Sequence, residues 1–336
     1  MDKGLGGIYT AKAEHQTCRL FKTLMSSSCK FDCKYCANSS TSKCAKKKVS
    51  YEPEELAKVF DFLVRKLDVH GLFLSSAVSG EADKVTERMI NAVKLIRGKY
   101  RFRGYVHFKV LPGTSFELIK QASELSQRMS INIEAPNKSV MSELSSCKDF
   151  KIDILRRQAW ISKLGRDQST QFIVSNYSSD KDILKMLKWE YEKLKLSRIY
   201  FAAFRPVKGT LMENENAVRE SRQNHLYNVD FLIRRYDYNY KEIEGVFDDG
   251  GMLPNEDPKL AIAKANFDRA VDINEMSYWE LVRVPGIGPV TAKKIENMKG
   301  RIGCYADLHK LGGHVRRAKP FVKVGGRVQK MLGEWC

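Results

Sequence analysis

Thr23-Leu-Met-Ser-Ser-Ser-Cys29-Lys-Phe-Asp-Cys33-Lys-Tyr-Cys36-Ala-Asn38 is the stretch on which the reading of this chain turns. Three cysteines fall within eight residues, spaced C-x3-C-x2-C, directly after an apolar run over 19–25 that reads as a strand. All eight cysteines (18, 29, 33, 36, 44, 147, 304, 336) could in principle pair. A chain of 336 residues with 43% hydrophobic content, however, builds a core without disulfide staples, and the crowding of three thiols points to metal.

Thiolates at this spacing can wrap three corners of an iron–sulfur cubane and leave the fourth iron without a protein ligand. The amino and carboxylate groups of S-adenosylmethionine (SAM) can chelate such an iron. Reductive cleavage of SAM needs a strongly reducing couple, hence an external electron donor. Two other readings stay open. Zinc usually takes C-x2-C plus a second pair, and here only Cys18 or Cys44 offers a fourth ligand. A plain electron-transfer ferredoxin needs a fourth cysteine. Tyr35, just before the last thiol, suits packing on an adenine or is simply a loop aromatic.

Outward from this loop the chain alternates. Strand-like runs occupy 19–25, 71–77, 104–110, 129–134, 170–174 and 198–204, and helical periodicity occupies 53–67, 84–97, 115–127, 151–164 and 180–194, with a shorter candidate at 138–145. The expected fold class is α/β, a parallel sheet with right-handed crossovers curled into a partial (β/α)6 TIM-like barrel. In such folds the site lies at the carboxyl ends of the strands, where the cysteine loop would sit. In the fourth run Asn132 and Glu134 share one face, with Ile131 and Ile133 on the other, so both polar groups would point inward toward a ribose or a carboxylate. An ordinary hydrogen-bonded pair at a strand end is the competing account.

A helix over 213–236 is expected to close this unit. Asp248-Asp249-Gly250-Gly251, Pro254 and Pro258 then interrupt periodicity. We therefore expect a catalytic domain over 1–236, a linker over 237–272 and a small all-α domain over 273–336. The last part holds Trp279-Glu-Leu281-Val-Arg-Val284-Pro285-Gly286-Ile287-Gly288-Pro289-Val-Thr291-Ala292-Lys293-Lys294-Ile295, two helical segments around a Pro-Gly-Ile-Gly turn. Ser277 with Glu280 suits a capping box, and Pro289 suits a first helical turn. Backbone N–H groups around Gly286, Ile287 and Gly288, with Thr291, Lys293 and Lys294 beside them, can face a phosphate. This is the helix-hairpin-helix pattern, which grips nucleic-acid backbones without reading sequence; in some proteins it only mediates packing. Residues 305–317 look like a weaker second hairpin.

The formal net charge is +18, and residues 283–336 carry twelve Lys/Arg against three acidic residues, half of the excess. Nucleic acid suits that concentration better than a membrane, because no amphipathic anchor with exposed aromatics accompanies it, although a solubilising basic surface would look similar. No apolar run reaches membrane-spanning length and the opening lacks the apolar stretch of a secretory signal, so a soluble cytoplasmic protein is expected.

The cysteine motif resembles that of the radical SAM superfamily over roughly residues 15–235, which implies a [4Fe–4S] cluster on Cys29, Cys33 and Cys36 and SAM as cofactor. The resemblance makes Ser79-Gly80-Glu81 similar to the loop that holds the SAM amino group, with one glycine fewer than the fuller form. It makes Phe172-Ile173-Val174 similar to the adenine wall, with Ser175-Asn176-Tyr177 where glycines often follow. Arg205 becomes a candidate for a substrate phosphate or the SAM carboxylate, or a surface arginine.

With Gly71-Leu-Phe-Leu-Ser75-Ser76, with Phe102-Arg103-Gly104-Tyr105-Val-His107-Phe-Lys109-Val-Leu-Pro112-Gly113 and with Arg317-Ala-Lys-Pro320-Phe321, nearly the whole chain resembles a family of DNA-modification or repair radical SAM proteins with a C-terminal helix-hairpin-helix. That resemblance implies DNA as partner and association with a uracil-DNA-glycosylase-like protein. Cys18, Cys44 and Cys147 are possible hydrogen-atom donors, as in spore photoproduct lyase. Modification of tRNA or another RNA, and a non-enzymatic iron–sulfur DNA-binding partner of the glycosylase-like protein, are the alternatives.

Overall fold

The computed structural model describes residues 6–13, 16–44, 47–298 and 302–325. Of the basic residues counted near the C-terminus, Lys299, Arg301, Arg327 and Lys330 lie outside the described residues.

Seven strands form one sheet in sequential order: β1 (Gly6–Ala13), β2 (Gln16–Leu24), β3 (Gly71–Ser75), β4 (Tyr105–Lys109), β5 (Arg128–Ser130), β6 (Asp167–Val174) and β7 (Arg198–Ala203). The pairs from β2–β3 to β6–β7 are all parallel. Six sequential parallel strands curl as a partial TIM-like barrel, as expected from the sequence. Strand β1 was not expected. It pairs antiparallel with β2 from Gln16 to Thr23, and Gly6 makes this possible because a Cβ there would lie 2.3 Å from the Lys22 carbonyl oxygen.

The helices α1 (Pro53–Leu67), α2 (Ala82–Gly98), α3 (Phe116–Leu125), α4 (Lys138–Leu144), α5 (Arg156–Lys163) and α6 (Asp180–Trp189) alternate with these strands. Helix α1 starts on a capping box between Glu52 and Glu55 and buries Leu56, Ala57, Phe60 and Leu63. A π-helical turn, Phe150–Leu155, leads into α5, and another, Glu190–Leu194, follows α6. On the sheet's outer face Leu72, Leu74, Val106, Phe108 and Met129 are wholly buried. Their strand neighbours Phe73, Tyr105, His107, Lys109 and Arg128 therefore point to the inner face.

The chain divides into two compact units, 1–178 with 182–219, and 179–181 with 220–336. The second holds α7 (Glu220–Tyr236), α8 (Tyr240–Glu244), α9 (Pro258–Asn266), β8 (Val271–Asp272), α10 (Tyr278–Leu281), α11 (Pro289–Asn297), α12 (Tyr305–Lys310), α13 (Val315–Ala318) and β9 (Val322–Lys323). Its core includes Ile273, Leu281, Val284, Ile287, Ile295, Leu308 and Phe321.

Three details differ from the sequence reading. Helix α7 starts at Glu220 because residues 207–216 are held in successive turns, and it clusters with the second unit. The stretch 237–272 carries α8 and α9, packs as part of that unit and adds Ala263 to its core. The unit is also not purely helical, since β8 and β9 form a short parallel pair. Two-residue strands leave no periodicity to read.

Candidate metal centre

The loop over residues 25–44 leaves β2 at its carboxyl end and is pinned by backbone bonds. Met25 N–H donates to the Ser75 carbonyl (2.8 Å), Lys30 N–H to Val78 (2.7 Å) and Lys34 N–H to Leu144 (2.9 Å), so β3, the β3–α2 connection and α4 all shape it. Within it Cys36 N–H donates to the Cys33 carbonyl at 3.0 Å, and Asn38 N–H reaches the Cys36 Sγ at 3.4 Å. Cys33 is buried, and Cys29 and Cys36 are half-buried.

Asp32, between the first two cysteines, is the anchor. It accepts hydrogen bonds from Ser145 Oγ (2.6 Å), Ser146 Oγ (2.5 Å), Ser146 N–H (3.1 Å) and Cys147 N–H (3.3 Å). Burial alone would push its pKa up; these donors outweigh burial and hold it well below the usual carboxylate range.

Four charged or polar side chains surround the thiols. Burial pushes the Cys33 and Cys36 thiols up, opposed at Cys33 by Lys148 and at Cys36 by the Asn38 N–H. Burial also opposes the charge on Lys148, yet the neighbouring Cys33 and Glu134 more than compensate and keep it an ammonium. Half-buried Tyr35 is held far above the ordinary phenol value by burial and by Glu134, Cys33 and Cys36. Lys109, at the end of β4, is pushed down to about 8 by burial and by Lys22 and Lys148, against the pull of Glu134. Glu134 thus faces both lysines, Tyr35 and the thiol loop.

The strand expected over 129–134 ends at Ser130, and Glu134 sits at φ +63. Its backbone bridges to β6, donating to the Gln171 carbonyl (2.9 Å) and accepting from Ile173 N–H (2.8 Å). A glutamate held in left-handed backbone is the kind of strain that surrounding structure must enforce. Asn132 Nδ2 donates to Glu134 Oε1 at 3.1 Å, so the two share a side although the regular alternation fails. Ile131 and Ile133 are buried opposite them.

Gly80 has φ +83, Ser79 is half-buried, and the exposed Glu81 begins α2 and pairs with Lys84 at 3.2 Å. The Lys30–Val78 bond sets this segment beside the cysteine loop. Ile173 is buried on β6, and Arg205 is exposed just past β7. Cys44 is turned to the Lys208 carbonyl (3.0 Å).

Among the described residues no three Cys, His, Asp or Glu side chains converge tightly enough to hold one metal ion. A single tetrahedral zinc draws its thiolates to about 2.3 Å from one centre. Three thiols at C-x3-C-x2-C on one loop are the donor chemistry that an iron–sulfur cluster takes, one thiolate to each of three irons.

In the second unit Gly286 has φ +86, its carbonyl accepts from His314 N–H (2.8 Å), and a Cβ there would lie 2.6 Å from the His314 carbonyl oxygen. The turn between α12 and α13 therefore packs directly on the turn between α10 and α11. Gly288 precedes α11. The Ile287 side chain is buried, its N–H donates to Val284 (3.1 Å), and its carbonyl accepts from Lys259 Nζ (2.6 Å). Thr291 is buried as well. Neither side chain is presented to a ligand. Lys293 and Lys294 are exposed, with Lys293 paired to Glu296 at 2.9 Å.

No protein-family model matches this chain, and no curated protein matches it. Solved structures do. The FeFe-hydrogenase maturase HydG from Carboxydothermus hydrogenoformans is similar at TM-score 0.54 and 12% identity, over 64% of this chain and 51% of that one. Another structure of HydG gives 0.53 and 12%, over 64% and 49%. Methylornithine synthase (PylB) gives 0.52 and 11%, over 63% and 60%. The chain thus spans about half to three-fifths of the length of these structures. What is shared is the fold, the partial parallel barrel described above.

Proposed function

We propose that this chain is a radical SAM enzyme that modifies or repairs a nucleotide in DNA. The observation that carries the reading is the C-x3-C-x2-C loop seated at the carboxyl end of the first parallel strand of a partial barrel. Cys29, Cys33 and Cys36 would each give one thiolate to a [4Fe–4S] cluster, which with SAM supplies a 5′-deoxyadenosyl radical. Asp32 fixes the loop from behind, and the Lys148 ammonium offsets the negative charge that the thiolates bring. In this reading Gly80, Asn132, Glu134 and Ile173 border SAM. Tyr35, kept neutral, donates its hydroxyl hydrogen instead of adding a further anion.

The second unit would hold the nucleic-acid backbone through Lys293, Lys294 and N–H groups near Gly286 and Gly288, with the Ile287 and Thr291 side chains serving packing. A target buried in duplex would have to be extruded, at about a few kcal/mol. An external electron donor is implied, and a uracil-DNA-glycosylase-like protein is the proposed partner.

Anaerobic reconstitution with iron and sulfide, followed by dithionite, SAM and mixed nucleic acids, tests this. Expected are 5′-deoxyadenosine and an altered deoxynucleoside in digested DNA by mass spectrometry, both lost in Cys29→Ala, Cys33→Ala and Cys36→Ala. An altered ribonucleoside instead would transfer the chemistry to RNA. A reduced cluster that makes no 5′-deoxyadenosine would leave only a binding protein.

A further inference from the structure

The run 102–113, prominent in the sequence, has no part in holding the cluster. Its residues Tyr105, His107 and Lys109 lie instead on the inner face of the barrel. Register places Lys22 of β2 beside Phe73 of β3, Phe73 beside His107 of β4, and Lys109 of β4 beside Ser130 of β5. Lys22 Nζ lies 5.3 Å from the Phe73 ring centroid, and the Phe73 and His107 rings are 4.3 Å apart. His107 Nε2 is 2.8 Å from Ser130 Oγ, which fixes the ring edge. One row across three strands thus sets a cation, the half-buried Phe73 ring and the buried His107 ring side by side, with a second cation two residues further toward the cysteine loop.

Neither lysine has an ion-pair partner among the described residues. The contrast is Arg128 on the same face, whose charge is taken up by Asp167 at 2.6 Å. Glu134 attracts Lys109 without pairing to it. Lys22 is open to solvent, whereas keeping the half-buried Lys109 charged without an ion pair is costly unless an anion arrives, which Lys22 can share from the solvent side. Burial, with Arg128, Lys109 and Lys22 nearby, pushes His107 down to about 3, so its buried ring is a neutral support behind Phe73. A small carboxylate would satisfy the lysines but would make no use of the aromatic row. A phosphate attached to a planar heterocycle uses both.

We infer that Lys22, Phe73, His107 and Lys109 form a nucleotide-binding face inside the barrel, the lysines taking the phosphate and Phe73, backed by His107, meeting the base. This rests on the nucleic-acid reading above and names where the target nucleotide would lie.

The test is binding of thymidine 5′-monophosphate to the full chain by equilibrium dialysis, in parallel with retention of a duplex oligonucleotide. Inorganic phosphate and thymidine serve as half-ligands. Lys22→Met, Lys109→Met and Phe73→Leu should each weaken the nucleotide on the order of tenfold while leaving duplex retention near the wild-type value. The half-ligands should bind much more weakly than the whole, and unchanged near-ultraviolet dichroism would show that the variants fold.

Wild-type protein that retains duplex but ignores the nucleotide, or variants that bind it undiminished, would overturn this face and leave the DNA reading intact. Equal affinity for inorganic phosphate would overturn the role of the rings. Nucleotide binding that follows the variants, in a protein that retains no polymer, would support the face and remove DNA as its source.

Discussion

Asp32 shows how one side chain can hold a whole ligand loop. Its carboxylate gathers four donors from residues 145–147, and the same short segment delivers Lys148 to Cys33. Asp32→Asn keeps the shape but turns half of the acceptor into a donor facing donors, a loss of about 1–3 kcal/mol locally. Iron and sulfide per reconstituted chain should fall several-fold, while far-ultraviolet dichroism stays that of the wild type.

Glu190 makes a different prediction. It is fully buried, accepts from Gln158 Nε2 at 2.6 Å, has no partner for its other oxygen among the described residues, and has its pKa pushed up to about 8 by burial. Its folded-state value lies above the unfolded one, so the folded chain keeps the proton over the interval in which the unfolded chain gives it up. Stability is therefore lost as pH rises from about 4.5 toward 8. Glu190→Gln should flatten that decline and raise stability at pH 8, by a few kcal/mol at most, as denaturant titrations at pH 5 and pH 8 would read.

At the scale of elements, the turn between α10 and α11 is held by backbone that other residues tolerate poorly. Gly286→Ala meets both the positive φ and the His314 carbonyl, so a loss of about 1–3 kcal/mol is expected. Gly245, where an added Cβ meets nothing and φ is −74, is the control, and its change to alanine should stay within about 0.5 kcal/mol. Thermal unfolding of both variants makes the comparison. The parallel strands and most helices were legible because their apolar patterns have the right period. Strand β1 and the β8–β9 pair were not, because pairing partners rather than their own burial make them strands.

For the molecule as a whole, charge is the property with the longest reach. Exchange of both Lys293 and Lys294 for alanine should weaken duplex retention without regard to base sequence and reduce the dependence of log affinity on log salt by up to about 1.8. Lys293 must first leave Glu296, so it should contribute the smaller part. Filter retention between 50 mM and 200 mM salt would measure this, with the change concentrated in the slope. Among the described residues no helix is long and apolar enough to cross a membrane.

Sequence alone determined the parallel α/β barrel and singled out three thiols after its first parallel strand, because periodicity and ligand spacing are local properties of a chain. Only tertiary structure decided what surrounds those thiols. Asp32, Lys148 and Glu134 are brought together from three segments, and Lys22, Phe73 and His107 come from three strands. It also turned Ile287 and Thr291 into core residues. Charges and rings act through space, and distances in space are set by how strands pair and helices pack, which residue order does not disclose one segment at a time.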